Sequence, residues 1–287
     1  MIAVLGGLGA AAAWAVSTLC SSRSSRMIEP MSVVAWVMLV GLLICAPLAA
    51  ASGVPAALSG SAGGWLVLSG AGNVFGLFMA YRALRAGKVA LVAPLLSTEG
   101  ALAALIALLA GERLRAVVAA ALALAAVGVC LAAVPAQNPP QNAERTSGES
   151  HPEAVAFAML AALSFGASLY ATARAGATLP VAWVVLAARV IGFAVFTLPL
   201  AAARRLSVTR DAFPLVVVAG ICEVLGFFSY TAASRHGVAV AAVLSSQFAA
   251  IAALVAYLLF GERLGRVQLA GVGTVLVAVS LLSGVSA

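Results

Sequence analysis

Charged side chains are so sparse in this chain that they leave ten windows of about 20 residues, the length a helix needs to cross a ~30 Å hydrocarbon core. The windows lie near 1–20, 30–51, 64–84, 89–110, 115–134, 153–172, 180–202, 212–234, 238–260 and 265–284. Of 287 residues, 64% are hydrophobic and 9% charged, against roughly 25% charged in a soluble domain. The composition therefore predicts an all-α integral membrane protein with ten transmembrane helices. The longest polar stretch, residues 135–152, is rich in Gln, Asn, Pro, Ser and Glu and cannot bury a core of its own. It reads as a linker, with five windows on either side.

The two sides are copies. Residues 70–132 align without a gap to 220–282, and 19 of the 63 positions are identical. Gly111-Glu112-Arg113-Leu114 returns as Gly261-Glu262-Arg263-Leu264, and Gly70/Gly220, Gly76/Gly226, Phe78/Phe228, Arg85/Arg235 and Gly87/Gly237 match around it. Alanine-rich composition does not produce a repeated charged tetrapeptide at constant offset; duplication does. The predicted units are a first repeat over 1–134, the linker over 135–152 and a second repeat over 153–287.

Lys and Arg sort the loops into two sets, because positive loops resist translocation and stay cytoplasmic. One set holds Arg23, Arg26, Arg82, Arg85, Lys88, Arg145, Arg204, Arg205, Arg210, Arg263 and Arg266; the other holds Arg113, Arg115, Arg174 and Arg235. The first set is expected to be cytoplasmic, with both termini outside. With five helices per repeat, the second copy enters the membrane upside down, and loop charges have followed: three arginines lie between the seventh and eighth windows, none between the second and third. Two inverted copies of one fold can exchange conformations, so that a site between them opens first to one side and then to the other.

Other classes find little support. The first apolar run has no Lys or Arg before it, unlike a secretory signal, and reads as a retained helix. Cys20, Cys45, Cys130 and Cys222 lie singly in predicted helices without the spacing of a metal site or disulfide framework. The net charge of +7 is dispersed rather than gathered into a basic patch with aromatics, so no nucleic-acid partner is expected. His151 and His236 fall in the linker and a loop. No nucleophile, metal cluster or phosphate-binding glycine loop marks an enzyme, and no cofactor is expected. The two Gly-Glu-Arg-Leu segments read as turns, the carboxylate capping the next helix.

Polar groups at mid-membrane depth are the functional candidates. A charge at the bilayer centre costs roughly 2.5–3.5 kcal/mol on the insertion scale, and such residues usually face a cavity or mark a substrate path. Glu99, Arg189 and Glu223 lie near the middle of the fourth, seventh and eighth windows, with Asn73, Ser97, Gln247, Tyr170 and Tyr230 at similar depth. Arg189 has a second reading, as a structural clamp to Glu223 or Glu99. Asn73, Gly76 and Ala80 repeat as Glu223, Gly226 and Tyr230, each set on one helical stripe. Ser97 matches Gln247; Glu99, two residues on, is turned by roughly 200° from Ser97 in a regular helix. Trp14, Phe165 and Tyr170 are candidates for aromatic walls.

Ten helices, a five-helix inverted duplication and a Gly-Glu-x-Leu turn after the fourth helix of each copy resemble the drug/metabolite transporter superfamily, EamA type. The resemblance implies a basket of ten helices around a central cavity, with helices 3, 4, 8 and 9 prominent in its lining, and export of small metabolites, amino acids among them. In the small multidrug relatives the coupling carboxylate is in the first helix; here that helix has Trp14 and no acid, so their proton-exchange mechanism does not carry over.

The sequence thus points to alternating-access export of a small organic metabolite, such as an amino acid, across the bacterial inner membrane. The expected substrate site comprises Trp14, Asn73, Glu99, Tyr170, Arg189, Glu223, Tyr230 and Gln247, with Arg189 holding a carboxylate and Glu223 an ammonium. A proton-coupled drug or metabolite antiporter is the alternative, and a membrane scaffold without transport a third. The expected partners are a small-molecule substrate and the lipid bilayer, and one complete pair of repeats makes a monomer sufficient.

Overall fold

A computed structural model describes residues 1–58, 60–86, 92, 95–113, 115–132 and 152–248, with single positions and pairs between 251 and 281. The elements in order are α1 (Ile2–Ser24), α2 (Pro30–Ala51), a short 3₁₀ turn (Ala56–Leu58), α3 (Ser61–Ala86), α4 (Glu99–Leu109), α5 (Ala116–Ala132), α6 (Pro152–Gly176), α7 (Val181–Ala202), α8 (Ala212–Ser234) and α9 (Val238–Ser245). Six of these, α1, α2, α3, α6, α7 and α8, are long and apolar enough to cross a membrane. The expectation of ten full spans is met at those six positions among the described residues. The predicted tenth window, the second Gly-Glu-Arg-Leu, Pro94 and the linker fall outside the continuously described residues.

Local chemistry explains several boundaries. Pro30 opens α2 in its first turn, where a missing N–H costs nothing. Pro199 cannot donate to the turn before it, and α7 widens to a π turn over Phe193–Thr197. Gly111 ends α4 at φ +98°, a conformation that disfavours any Cβ. The fourth window differs from expectation. Leu95–Ser97 form a helical turn, Thr98 breaks the regular α pattern for one residue and bonds Leu95 O through its own Oγ1 at 2.7 Å, and Glu99 is the first residue of α4 rather than the middle of an unbroken helix. A hydroxyl that competes with the backbone for a carbonyl interrupts the ladder there.

Helix pairing respects the duplication. The two most extensive contacts are α3 with α6 and α1 with α8, which exchange when each helix is replaced by its counterpart in the other copy. The pairs α4–α6 and α9–α1, and α2–α8 and α7–α3, exchange in the same way, while α2–α7 and α4–α9 map onto themselves. Close approach is carried by matched glycines: Gly70 of α3 lies against Ala187 and Ala188 of α7, and Gly220 of α8 against Val37 and Val40 of α2.

The copies run in opposite directions. Trp183 at the start of α7 donates to Gly53 O beyond the end of α2 at 2.9 Å, and Trp36 near the start of α2 donates to Ser207 O beyond the end of α7 at 3.2 Å. Counterpart helices α2 and α7 are therefore antiparallel. Glu112, just after α4, receives the Ala239 N–H at the start of α9 at 3.3 Å, so α4 and α9 are antiparallel too. The latter contact corrects one expectation, since the carboxylate caps α9 of the other copy rather than the next helix, α5.

The same contacts gather the loops at two ends. Ser21 with Tyr81 and Ser32 with Ser207 join one end, which carries Arg23, Arg26, Arg82, Arg85, Arg204, Arg205 and Arg210. Gly53 with Trp183, Arg235 with Gly176 O and Leu179 O, and Glu112 with Ala239 join the other, which carries Arg113, Arg115, Arg174 and Arg235. Among the described residues this division matches the one made by loop charge.

Candidate functional site

A cavity lies at the centre of the bundle, between the two copies. Helix α1 contributes Trp14, Ser17 and Thr18; α3 contributes Asn73, Leu77, Ala80, Tyr81 and Leu84; Leu96 and Glu99 come from the turn before α4 and its first residue. The second copy supplies Phe165, Ser168 and Leu169 from α6, Glu223 and Phe227 from α8, and Phe248 beyond α9. Its volume is ≈ 50 Å³, room for a few water molecules and well below the roughly 300–1,000 Å³ of a pocket filled by a drug-sized ligand.

Glu223, 5% exposed, is the most connected polar group in the wall. Its Oε1 accepts from Asn73 Nδ2 at 3.4 Å and its Oε2 from Ser17 Oγ at 3.5 Å. Asn73 is 1% exposed, and its Oδ1 has no partner. Glu99, also 5% exposed, faces the same space. Tyr81 accepts from Ser21 Oγ at 3.0 Å, and Ser168 donates to Ser69 O at 2.7 Å beside a Ser69–Thr172 hydroxyl pair at 2.6 Å. These bonds fix the polar side of the wall.

The aromatic side is set by two matched glycines. A Cβ on Gly226 of α8 would collide with the Trp14 indole of α1, and one on Gly76 of α3 with the Phe165 ring of α6. Each glycine thus admits an aromatic ring from the first helix of the other copy. Trp14 then packs edge-on against Phe227, centroids 5.2 Å apart.

Of the eight residues singled out from sequence, the structure brings four, Trp14, Asn73, Glu99 and Glu223, to the cavity. The other four lie outside its lining. Arg189 is fully buried behind Phe227, its guanidinium 5.6 Å from that ring's centroid; Nη1 meets Met38 Sδ at 3.6 Å, and Nε and Nη2 are unpartnered. It forms no ion pair with Glu223 or Glu99, so the clamp reading does not hold in this conformation. Tyr230 donates to Leu169 O at 2.9 Å as a packing tie. Gln247, just beyond α9, donates back to Val243 O of that helix, also at 2.9 Å. Tyr170 packs edge-on with Trp65, next to Arg174.

Sequence reading passed over Ser17, Thr18, Tyr81 and Ser168. A signal existed for the first two, since Trp14, Ser17, Thr18 and Ser21 advance by three or four residues along one face of α1. Tyr81 and Ser168 offered none, because an isolated hydroxyl in an apolar helix is equally compatible with packing.

A two-copy helical bundle whose polar groups converge at the seam matches a known family. The family model for EamA-like transporters matches residues 1–134 and 153–284, nearly the whole of both copies. The chain belongs to the EamA-like transporter family. It is accordingly a multi-pass membrane protein of the drug/metabolite transporter type, a class of transporters rather than enzymes. No curated protein matches the chain. Among solved structures, one titled "Crystal structure of protein" superposes with a TM-score of 0.75 at 19% identity, covering 99% of this chain and 96% of the other. That likeness concerns the fold. In this EamA-like chain the cavity lies on the seam between the two family repeats.

Proposed function

We propose that this EamA-like protein exports a small organic metabolite across the bacterial inner membrane by alternating access, with the central cavity as its substrate site. One observation carries the reading: two buried carboxylates, Glu99 and Glu223, face a single cavity at the seam of two antiparallel copies. Burying such groups in a bilayer is costly, and a bundle retains them where they meet a substrate or ion. Antiparallel copies supply the mechanics, because each can take the other's conformation and move the opening from one end to the other. The Arg-rich end would be cytoplasmic and both termini outside.

An amino-acid substrate needs a cation for its carboxylate. Arg189 supplies one only in a state that draws Phe227 aside, and the reading rests on that movement. Proton-coupled antiport is a second reading, favoured by the same carboxylates, which could hold a proton when substrate is absent. Flux of labelled metabolites in proteoliposomes, with and without an imposed pH gradient, tests both. Substrate-dependent flux is expected; its absence across a broad metabolite screen would favour a scaffold. Glu223→Gln protein, folded and reconstituted, is expected to lose most of that flux, and wild-type rates would remove the cavity from consideration.

A further inference from the structure

We infer that a phospholipid with an anionic headgroup binds on the outer face of the α3–α6 seam, its phosphate held by Arg82. Arg82 is exposed and lies one turn before the end of α3, at the arginine-rich end of the bundle. Its guanidinium reaches across the seam to the ring of Phe157 on α6, 4.6 Å from the centroid, and lies 5.6 Å from that of Phe78 on its own helix. Phe78 is braced in turn by Phe196 of α7, centroids 5.3 Å apart. At these distances the rings hold the guanidinium through its charge and its flat faces. Its in-plane N–H groups still need acceptors, and no described residue supplies one.

The fold does not demand this arrangement. The α3–α6 seam has its equivalent in the α1–α8 seam, where Phe78 is retained as Phe228 but Arg82 becomes Ala232 and Phe157 becomes Gly7. Both seams close tightly on a glycine, Gly76 in one and Gly226 in the other, so neither the charge nor the second ring is needed to join the helices. The difference marks a task that one seam alone performs. Because the copies are antiparallel, the equivalent place on the other seam lies at the opposite end of the bundle, away from the arginine-rich loops.

The surroundings choose the ligand. Phe75, Phe78 and Arg82 follow at steps of three and four along one stripe of α3. Phe75, Leu160 and Leu163 are 46%, 46% and 53% exposed, an apolar surface for acyl chains with the arginine at its headgroup end. A guanidinium donates two parallel N–H bonds to phosphate oxygens, and basic sites between helices at the inner surface suit anionic headgroups. Arg85 follows one turn later on α3. Glu153, exposed one turn before Phe157, is the acid on this face of α6. A zwitterionic lipid offers the same phosphate but brings its own ammonium to an end already rich in positive charge.

The test is native mass spectrometry of the purified full chain after exchange through micelles containing phosphatidylglycerol and phosphatidylcholine of matched acyl chains. Retention of phosphatidylglycerol over phosphatidylcholine by roughly 5-fold or more is expected, the worth of one well-placed basic group at a membrane surface. Arg82→Ala is expected to lower that retention roughly 5-fold, and Arg82→Lys, which keeps the charge without the planar fork, to an intermediate level. Arg26→Ala, at the same end but off the seam, is expected to leave it within roughly twofold. Thermal unfolding of each variant confirms that it is folded. Equal retention of the two lipids, or equal losses in Arg82→Ala and Arg26→Ala, would overturn the inference. Inorganic phosphate raising the wild-type thermal midpoint as much as phosphatidylglycerol does would also overturn it, in favour of a free anion. The inference rests on the membrane setting of the fold and not on transport, so an absence of flux leaves it standing.

Discussion

Asn73 donates from Nδ2 to Oε1 of Glu223 at 3.4 Å, and the two residues occupy the same position in the two copies of the duplicated unit. Counterparts touch only where the axis relating the copies passes between them. That seam is also the cavity wall. One residue has become acidic and the other an amide, so a pair of like groups at the axis is now a donor and an acceptor.

Removing the donor isolates the acid. Asn73→Ala leaves Glu223 with Ser17 Oγ alone, and a buried polar group left without its partner costs about 1–3 kcal/mol. Flux at subsaturating substrate is expected to fall roughly 5- to 150-fold, and Asn73→Asp, which sets acid against acid, is expected to be at least as damaging. Initial rates in proteoliposomes check both, and unaltered rates in Asn73→Ala would show that the bond is idle.

Gly76 and Gly226 are seats for aromatic rings. Gly226→Ala drives a methyl into the Trp14 indole and Gly76→Ala one into the Phe165 ring. Such overpacking costs about 1–3 kcal/mol. Lower thermal midpoints in detergent are expected for each, and Gly226→Ala is expected to cost little further in a Trp14→Ala background but its full amount in a Phe165→Ala background. The opposite pattern would contradict the assigned packing.

Tyr230 is expected to behave as structure, not site. Tyr230→Phe removes the bond to Leu169 O and is expected to lower stability by about 1 kcal/mol while ligand affinity stays within twofold. A clear change in substrate affinity at unchanged stability would instead return Tyr230 to the cavity wall in another conformation.

Glu112 ties the copies at the far end from the arginine-rich loops. Both of its carboxylate oxygens face the Ala239 N–H at the start of α9, at 3.3 and 3.4 Å, where a capping acid contributes about 0.5–2 kcal/mol. Glu112→Gln is expected to speed amide hydrogen exchange at residues 238–242 without shifting exchange in α2 or α7. Protection that does not change there would mean the cap carries no weight.

Glu99 and Arg189 show where reading the sequence succeeded and where it stopped. Both are charged in apolar windows, so both were visible as costly groups at depth. Leu96 and Glu99, three residues apart, line the cavity while Ser97 does not, as the turn of roughly 200° between Ser97 and Glu99 requires, so of the two polar residues it is Glu99 that faces the space. Arg189 lies on a face of α7 covered by Met38, Gly41 and Phe227. Neither outcome is contained in depth along a helix, since each depends on what packs around it. Tyr230 and Ala80 make the same point, because they are counterparts and only Ala80 reaches the cavity.

The sequence by itself determined the membrane setting, the duplicated unit and the grouping of loops by charge, since hydropathy, repetition and Lys/Arg counts accumulate along the chain without reference to neighbours. Tertiary structure alone decided that Asn73 meets its counterpart Glu223, that Glu99 joins them and that Arg189 is shut behind Phe227. Those relationships depend on the rotation of each helix about its axis, which is set by close packing at Gly70, Gly76, Gly220 and Gly226 against helices of the other copy.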